Sequence, residues 1–229
     1  MNLLAFDTST EAMSIAVQAG GRSQLFATQA VGGAQASSTL IPSIRALLEQ
    51  AGLALESLDA IVFGQGPGSF TGLRTACSVA QGLAFGARLP VLPVETLMSV
   101  AEHARESEGV ERVVAVLDAR MDQVYWAAYE HEAGAWKRCG AIALGAPEGV
   151  EVPDGWALAG NALAIHGARL PPAARRVAAV PDARSMLRLA PALLAAGHGV
   201  DASHALPLYI RDKVAQTTEE RAAARAQTP

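Results

Sequence analysis

The chain has 229 residues, of which 51% are hydrophobic and 17% are charged, and its net charge is −4. This length allows one large domain or two small ones, and the negative charge excludes a global basic field that would attract nucleic acid. Because the share of charged residues is low for a monomer with its whole surface in water, the composition indicates a buried subunit interface.

Strand and helix patterns alternate along the first half of the sequence. Apolar runs and polar–apolar alternation predict five strands, at residues 3–7, 12–19, 22–29, 59–64 and 90–94. Gly20 and Gly21 form the predicted hairpin turn between the second and third strands. Apolar side chains at helical spacing predict three helices, at residues 37–51, 69–87 and 95–108.

The pattern begins again in the second half. Four strands are predicted, at residues 112–118, 124–131, 136–144 and 156–159. A short helix beginning near Asn161 and a helix at residues 184–196 follow them. Residues 206–210 are predicted to be extended, and residues 217–229 to be a frayed helix or disordered.

The two halves resemble each other weakly. In both, an apolar strand ends in an aspartate, Asp7 or Asp118, and a small polar turn leads into a returning strand. This similarity indicates duplicated halves, although two hairpins of an α/β protein can also look alike by chance.

A glycine-rich segment joins the fourth strand to the second helix. Its predicted structural loop consists of Gly64, Gly66, Pro67, Gly68, Ser69 and Gly72. The segment matches neither GxxxxGK[ST] nor GxGxxG, so phosphate binding is unsupported and close packing explains its glycines equally well. Ser69 is predicted to cap the helix through its hydroxyl. Since Arg74 is the only charged residue from Phe63 to Ala87, the helix is predicted to be covered on both sides.

Two turns carry the residues that could act chemically. The turn at residues 7–10 could hold a phosphate and a metal-bound water, or its aspartate and hydroxyls could satisfy a tight turn, which is the commoner outcome. Asp118 and Arg120 predict either a local ion pair or a contact to a ligand. The histidines lack metal-ligand spacing and no GxSxG motif occurs, so neither a metal site nor a catalytic residue is predicted.

Several features predict a cytoplasmic protein that does not enter the membrane. Residues 1–7 lack the basic start and the length of a signal peptide. No run of about 18 uncharged apolar residues occurs. Cys77 and Cys139 are isolated and lack CxxC spacing, which fits a reducing compartment better than a disulfide framework.

Six motifs distributed along the chain are typical of one protein family. They are residues 7–12 (DTSTEA), 64–74 (GQGPGSFTGLR), 80–84 (AQGLA), 117–121 (LDARM), 124–127 (VYWA) and 207–211 (PLYIR). Together they resemble the TsaB (YeaZ) family. The resemblance covers nearly the whole chain, from residue 1 to about residue 215, and the glycine-rich string is its most specific part.

The resemblance implies an α/β fold of the actin-like (ASKHA, ribonuclease H-like) type with two related subdomains. The first subdomain would span residues 1–108 and carry a helical dimerisation surface. The second would span residues 109–205. Residues 206–229 would form a C-terminal segment that can return to the first subdomain, with a frayed tail.

The resemblance also implies a function. The chain would be a non-catalytic scaffold for threonylcarbamoyl transfer to the tRNA adenosine beside the anticodon, and would bind and activate TsaD together with TsaE. It would have no cofactor of its own, with ATP or ADP and metal on TsaD and TsaE, and it could form a homodimer when alone. The alternatives are a stand-alone nucleotide hydrolase or phosphotransferase that uses Asp7 and Asp118, or a glycoprotease-like peptidase.

The implied partner surface lies on the helices at residues 37–51 and 70–87. Its predicted residues are Leu40, Ile44, Leu47, Gly72, Arg74, Thr75, Ala76, Val79 and Leu83. Four residues are predicted to be the remnant of a nucleotide-binding loop, namely Asp7, Thr8, Ser9 and Asp118. Family members often carry a histidine where this chain has Ala36, so no role of that histidine is transferred.

Overall fold

A computed structural model describes residues 1–20 and 24–211. Gly21 of the predicted hairpin turn and the first two residues of the predicted strand 22–29 lie outside the described residues. The predicted frayed helix or disorder at residues 217–229 lies outside them as well. Within the described part of the chain, no helix combines the length and the apolar character needed to cross a bilayer.

The first half forms a mixed five-stranded sheet. Its strands are β1 (Leu3–Asp7), β2 (Ala12–Ala19), β3 (Gln24–Val31), β4 (Ala60–Gly66) and β5 (Val91–Glu95). They lie in the order β3-β2-β1-β4-β5, with β1–β2 and β2–β3 antiparallel and β1–β4 and β4–β5 parallel. Strand β1 is buried along its whole length because it is the central strand. The turn after β1 therefore lies near the middle of the sheet, at the carboxyl ends of β1, β4 and β5.

Helices cover both faces of this first sheet. Helices α1 (Ala36–Ala51) and α2 (Phe70–Ala87) pack on one face through a core that includes Leu40, Ile44 and Phe63. The last residues of α1 are followed by Gly52, whose left-handed backbone ends the helix as predicted. Ala36 is buried at the start of α1.

The second half repeats this sheet. Strands β6 (Arg112–Asp118), β7 (Val124–Glu132), β8 (Ala135–Gly145), β9 (Ala157–Ala159) and β10 (Arg175–Val177) lie in the order β10-β9-β6-β7-β8. Pairs β6–β7 and β7–β8 are antiparallel, and β6–β9 and β9–β10 are parallel. Each position of the first sheet thus has a counterpart in the second, and β1 and β6, which end in Asp7 and Asp118, correspond. The predicted duplication is therefore a real structural repeat.

Helix packing crosses between the two halves. Helix α3 (Thr96–Glu108) follows the first sheet in sequence, but its apolar residues pack in the core of the second sheet. The short helix α4 (Ala162–His166) follows β9 and packs on the second sheet, and it is the short helix predicted near Asn161. Helix α5 (Ala183–Ala195) follows the second sheet, but it packs on the face of the first sheet opposite α1 and α2. The division at residue 108 therefore separates the sheets but not the helices that cover them.

Residues 200–211 connect the two halves without forming a regular strand. Val200 makes an isolated antiparallel bridge with Val91, and the Leu208 amide donates to the Gln65 carbonyl. Ile210 then packs against the core of the second sheet. We call residues 200–211 the C-terminal strap, because they run from the edge of the first sheet to the second half.

Candidate functional site

The glycine-rich loop packs directly on the turn that follows β1. The Ser69 amide donates to the Ser9 carbonyl at 2.7 Å, and the Thr8 hydroxyl donates to the Gly72 carbonyl at 2.7 Å. A Cβ atom at Gly72 would lie 1.8 Å from the Thr8 carbonyl oxygen, and one at Gly68 would lie 2.6 Å from the Ser9 Cβ. These contacts support the close-packing interpretation of the glycines.

Asp7 is enclosed at the base of this turn. Its side chain is 1% exposed, and its Oδ1 accepts hydrogen bonds from the Ser9 amide at 2.9 Å and the Ser9 hydroxyl at 2.6 Å. Its Oδ2 is buried without a hydrogen-bond partner. Burial raises the pKa of Asp7 to about 6, although the hydrogen bonds from Ser9 oppose this effect. The tight-turn interpretation therefore describes the local structure.

Ser69 differs from its predicted role. It occupies the N-cap position of α2, but its side chain makes no capping hydrogen bond. Its backbone amide is instead held by Ser9, so the start of the helix is fixed by contact with the β1–β2 turn. The predicted hydroxyl cap is therefore wrong.

A cleft of about 360 Å³ lies between the two halves. One wall consists of the β1–β2 turn, beginning at Ser9, and the start of α2. The other wall consists of the β6–β7 turn, beginning at Asp118, together with Asn161 and Ile165. The last four described residues of the C-terminal strap complete the lining. Of the four predicted remnants of a nucleotide loop, Ser9 and Asp118 line this cleft, whereas Asp7 and Thr8 do not.

Charged side chains of both halves meet in this cleft. The Arg120 guanidinium contacts Glu11 across the cleft, and its Nε lies 3.7 Å from Asp118 Oδ2. Asp118 Oδ1 also lies 3.0 Å from His166 Nε2, and both of these side chains are largely buried. The ion-pair interpretation of Asp118 and Arg120 is confirmed. His166 was not predicted at this site, because 48 residues separate it from Asp118 and no local spacing links the two.

The turn between β6 and β7 has an uncommon backbone. Arg120, Met121 and Asp122 have successive positive φ angles of 60°, 54° and 58°. Residues other than glycine rarely adopt this conformation. Side-chain contacts hold the turn, including Arg169 on Asp122 and the hydrogen bond from the Arg120 amide to Asp118. The turn projects Met121 into the cleft lining.

The predicted partner surface is only partly at the surface. Five of its nine residues are buried inside the chain, namely Leu40, Ile44, Leu47, Gly72 and Ala76. Arg74 is exposed, Thr75 is half-buried, and Val79 and Leu83 pack partly against the core. The expectation that Leu40, Leu47, Gly72 and Ala76 contribute to an exposed surface is corrected, because these residues face the core. Ile44 is buried too, but together with Leu83 it lines a groove between α1 and α2.

The outer face of α1 and α2 is not covered by the described part of the chain. Phe85 is 82% exposed and Ile41 is 44% exposed. Between the two helices lies a groove of about 430 Å³. Its lining comprises Ile41, Ile44, Arg45, Leu48, Glu49, Leu53, Leu55 and Leu83. We call this groove, together with the neighbouring exposed side of α2 that carries Phe85, the α1–α2 face. Helix α2, predicted to be covered on both sides, is covered by its own chain on one side.

No group of three or more histidine, cysteine, aspartate or glutamate side chains converges among residues 1–20 and 24–211. Cys77 is buried, with its thiol 3.3 Å from the Ala205 carbonyl oxygen, and Cys139 is exposed.

The fold and the glycine-rich loop can be compared with known proteins. Residues 31–219 match the family described as TsaD, tRNA N6-adenosine threonylcarbamoyltransferase. The duplicated sheets are therefore those of a TsaD-like, ASKHA-type α/β protein, as predicted.

Full-length relatives define the family more closely. The tRNA threonylcarbamoyladenosine biosynthesis protein TsaB of Escherichia coli is 36% identical, over 94% of this chain and 96% of that protein. The TsaB of Haemophilus influenzae is 35% identical over 93% and 95%. The solved structure of YeaZ from Pseudomonas aeruginosa is 42% identical, covers 91% of this chain and 99% of its own, and superposes with a TM-score of 0.85. The chain belongs to the TsaB (YeaZ) family of tRNA threonylcarbamoyladenosine biosynthesis proteins.

Proposed function

We propose that this chain is the scaffold subunit of a threonylcarbamoyl-transfer complex. In this role it binds and activates TsaD together with TsaE, and the tRNA is the substrate of the whole complex. ATP or ADP and metal belong to TsaD and TsaE. The observation that carries the proposal is the uncovered α1–α2 face, an apolar surface on a chain of the TsaD-like fold.

The α1–α2 face has the properties of a protein interface. It combines a groove lined by leucine and isoleucine with one almost fully exposed aromatic side chain, Phe85. Buried aromatic anchors carry much of the binding energy in protein complexes, and a stable interface buries roughly 1,600 Å² in total. The outward small residues of α2, Ser78 and Gly82, allow a partner helix to approach closely.

The enclosed β1–β2 turn supports a non-catalytic role. A carboxylate that assists a reaction must be within hydrogen-bond reach of the reacting group. The Asp7 carboxylate is instead buried, and Gly68 and Gly72 bring the backbone of the glycine-rich loop into contact with Thr8 and Ser9. The loop thereby packs on the turn at Thr8 and Ser9, above the buried Asp7.

Replacing Phe85 by glutamate tests the interface. We expect Phe85→Glu to weaken association with TsaD by about tenfold or more, because a charge would be desolvated in an apolar contact. Leu25→Glu is the matched control, since Leu25 is also an exposed apolar residue (49% exposed) but lies on β3, outside the α1–α2 face. Sedimentation velocity of each variant mixed with TsaD measures the association. Unchanged association of a folded Phe85→Glu variant would contradict the proposed interface.

The scaffold role itself is tested by reconstitution. The modification of tRNA is measured with TsaD, TsaE and threonylcarbamoyl-adenylate, with and without this chain. We expect the modification to require the chain, and the isolated chain to hydrolyse no ATP. Hydrolysis by the isolated chain that disappears in Asp7→Asn would instead support the nucleotide hydrolase.

A further inference from the structure

The cleft between the two halves contains Arg211, a cation that forms no ion pair with any other described residue. The Arg211 guanidinium donates to the Ala119 carbonyl at 3.0 Å, to Gln123 Oε1 at 2.8 Å and to Met121 Sδ at 2.9 Å. All three acceptors are uncharged. No carboxylate of the described residues forms an ion pair with Arg211, and its buried Nε has no hydrogen-bond partner.

The other charged groups of the cleft are engaged with one another. Arg120 is shared between Glu11 and Asp118, and Asp118 also contacts His166. These contacts satisfy both carboxylates within the cleft walls. Arg211 is therefore the charged group of the described lining that is left to face a ligand.

The start of helix α2 contributes partial positive charge to the same cleft. The first N–H groups of a helix have no intrahelical partner and carry a partial positive charge. At α2 this end lines the cleft, and the Ser69 hydroxyl, which also lines it, makes no capping bond. Most of the remaining lining is apolar. It includes Phe70, Leu73, Met121, Ile165, Leu208 and Ile210.

We propose that this cleft binds a small organic carboxylate with an apolar body. The carboxylate pairs with Arg211 and the Ser69 hydroxyl, and the apolar body lies against Phe70, Met121 and Ile165. The volume of about 360 Å³ falls within the range of small-molecule sites. A carboxylate is favoured over a phosphate ester, because one unpaired guanidinium matches one negative charge.

Three molecules of matched shape test the chemistry of the site. They are 3-phenylpropionate, its uncharged amide and 2-phenylethyl phosphate, each titrated into the ¹⁵N-labelled full chain and followed by NMR. We expect 3-phenylpropionate to saturate the cleft, and its binding to shift the Arg211 Nε–H signal and the amide signals of residues 70–73. The amide should bind at least about tenfold more weakly, because the charge-assisted hydrogen bond is lost.

Four variants assign the binding to the cleft. Arg211→Gln should abolish the preference for the carboxylate over the amide, and Arg184→Gln, which removes an exposed arginine of α5 outside the cleft, should preserve it. Ile165→Trp should block binding of the apolar body, whereas Leu25→Trp should not. If Arg211→Gln does not fold, the two tryptophan variants decide the location.

Three results would overturn the proposal. The first is that 3-phenylpropionate does not saturate the site at concentrations up to about 10 mM, because the affinity would then be lower than that of ordinary ligand sites. The second is equal binding of acid and amide. The third is tighter binding of 2-phenylethyl phosphate, which would make the site a phosphate site. None of these results depends on association with TsaD, so failure here and failure of the scaffold role are distinguishable.

Discussion

Asp7 ends the central strand of the first sheet, and its surroundings disfavour a charge. One carboxylate oxygen is held by Ser9, and the other is buried without a partner near Gly64. Burying an ionised carboxylate is costly unless it is fully hydrogen-bonded. Asp7 is thus a residue whose ionised form lowers the stability of the fold.

We expect Asp7→Asn to stabilise the protein near neutral pH. The folded pKa of about 6 lies above the ordinary value of 3.8, so folding favours the protonated carboxyl. The cost of the charge is fully present above about pH 6 and disappears as the pH falls towards 3.8. The variant should therefore gain about 3 kcal/mol at pH 8 and little near pH 4.

Urea unfolding of wild type and variant between pH 4 and pH 8 measures this difference. Asp154→Asn is the control, because Asp154 is exposed in a loop. A stability difference that does not change with pH would show that the Asp7 carboxyl is not the titrating group.

The site residues show which contacts a sequence can predict. The glycine-rich loop and the Asp7 turn were predicted because each is a local motif with its own turn chemistry. The contacts of His166 with Asp118 and of Arg211 with Gln123 join residues 48 and 88 positions apart. Such contacts depend on the meeting of the two halves, and no spacing rule describes them.

At the scale of elements, periodicity located most helices and strands to within about two residues. Strand β6 begins and ends as predicted, because its apolar run is sharply bounded by charged residues. Strand β10 was missed because its three residues include two arginines, and its strand conformation comes from parallel pairing with β9. Five of the nine predicted interface residues lie on the inward faces of α1 and α2, because an apolar stripe marks a core face and an interface face alike.

Alanine substitutions at two glycines of α2, Gly72 and Gly82, should change the stability of the protein in opposite directions. We expect Gly72→Ala to destabilise the protein by about 2 kcal/mol or more, because the new Cβ would lie 1.8 Å from the Thr8 carbonyl oxygen. Gly82→Ala, with no atom within 4 Å of its Cβ, should stabilise the helix by about 0.5–1 kcal/mol.

Thermal unfolding followed by circular dichroism compares these two variants within one helix. Equal effects of the two substitutions would contradict the conclusion that Gly72 is required for contact between the β1–β2 turn and α2.

At the scale of the whole molecule, one buried carboxylate joins parts of both halves. Glu102 of α3 accepts hydrogen bonds from Arg105 at 3.0 Å, from Arg188 of α5 at 3.1 Å and from the Trp136 indole of β8 at 2.8 Å. Burial acts to raise the pKa of Glu102, but the bonds from Arg105 and Trp136 and the charges of Arg105 and Arg188 outweigh it. The net pKa is lowered. Glu102 therefore stabilises the fold when ionised.

We expect Glu102→Gln to destabilise the chain by about 1–3 kcal/mol at neutral pH, because hydrogen bonds to a charged group are lost. Since the folded pKa is lowered, the contribution of Glu102 is present above the ordinary value of 4.5 and is lost as the pH falls below it. Chemical unfolding at pH 7 and pH 4, followed by tryptophan fluorescence, measures both effects.

Glu130→Gln is the control for this prediction, because its ion pair with Arg112 lies at the surface, where such pairs contribute little. A Glu102→Gln variant as stable as Glu130→Gln at pH 7 would contradict a joining role for Glu102.

The crossed helix packing has a consequence for synthesis on the ribosome. The face of the first sheet that receives Met186, Leu187 and Ala190 remains bare until α5 has left the exit tunnel. An emerging amino-terminal half consequently exposes apolar strands while the second half is being synthesised, at a stage when exposed strand surface promotes aggregation. Chaperones that recognise nascent chains would encounter this sheet well before the polypeptide is complete.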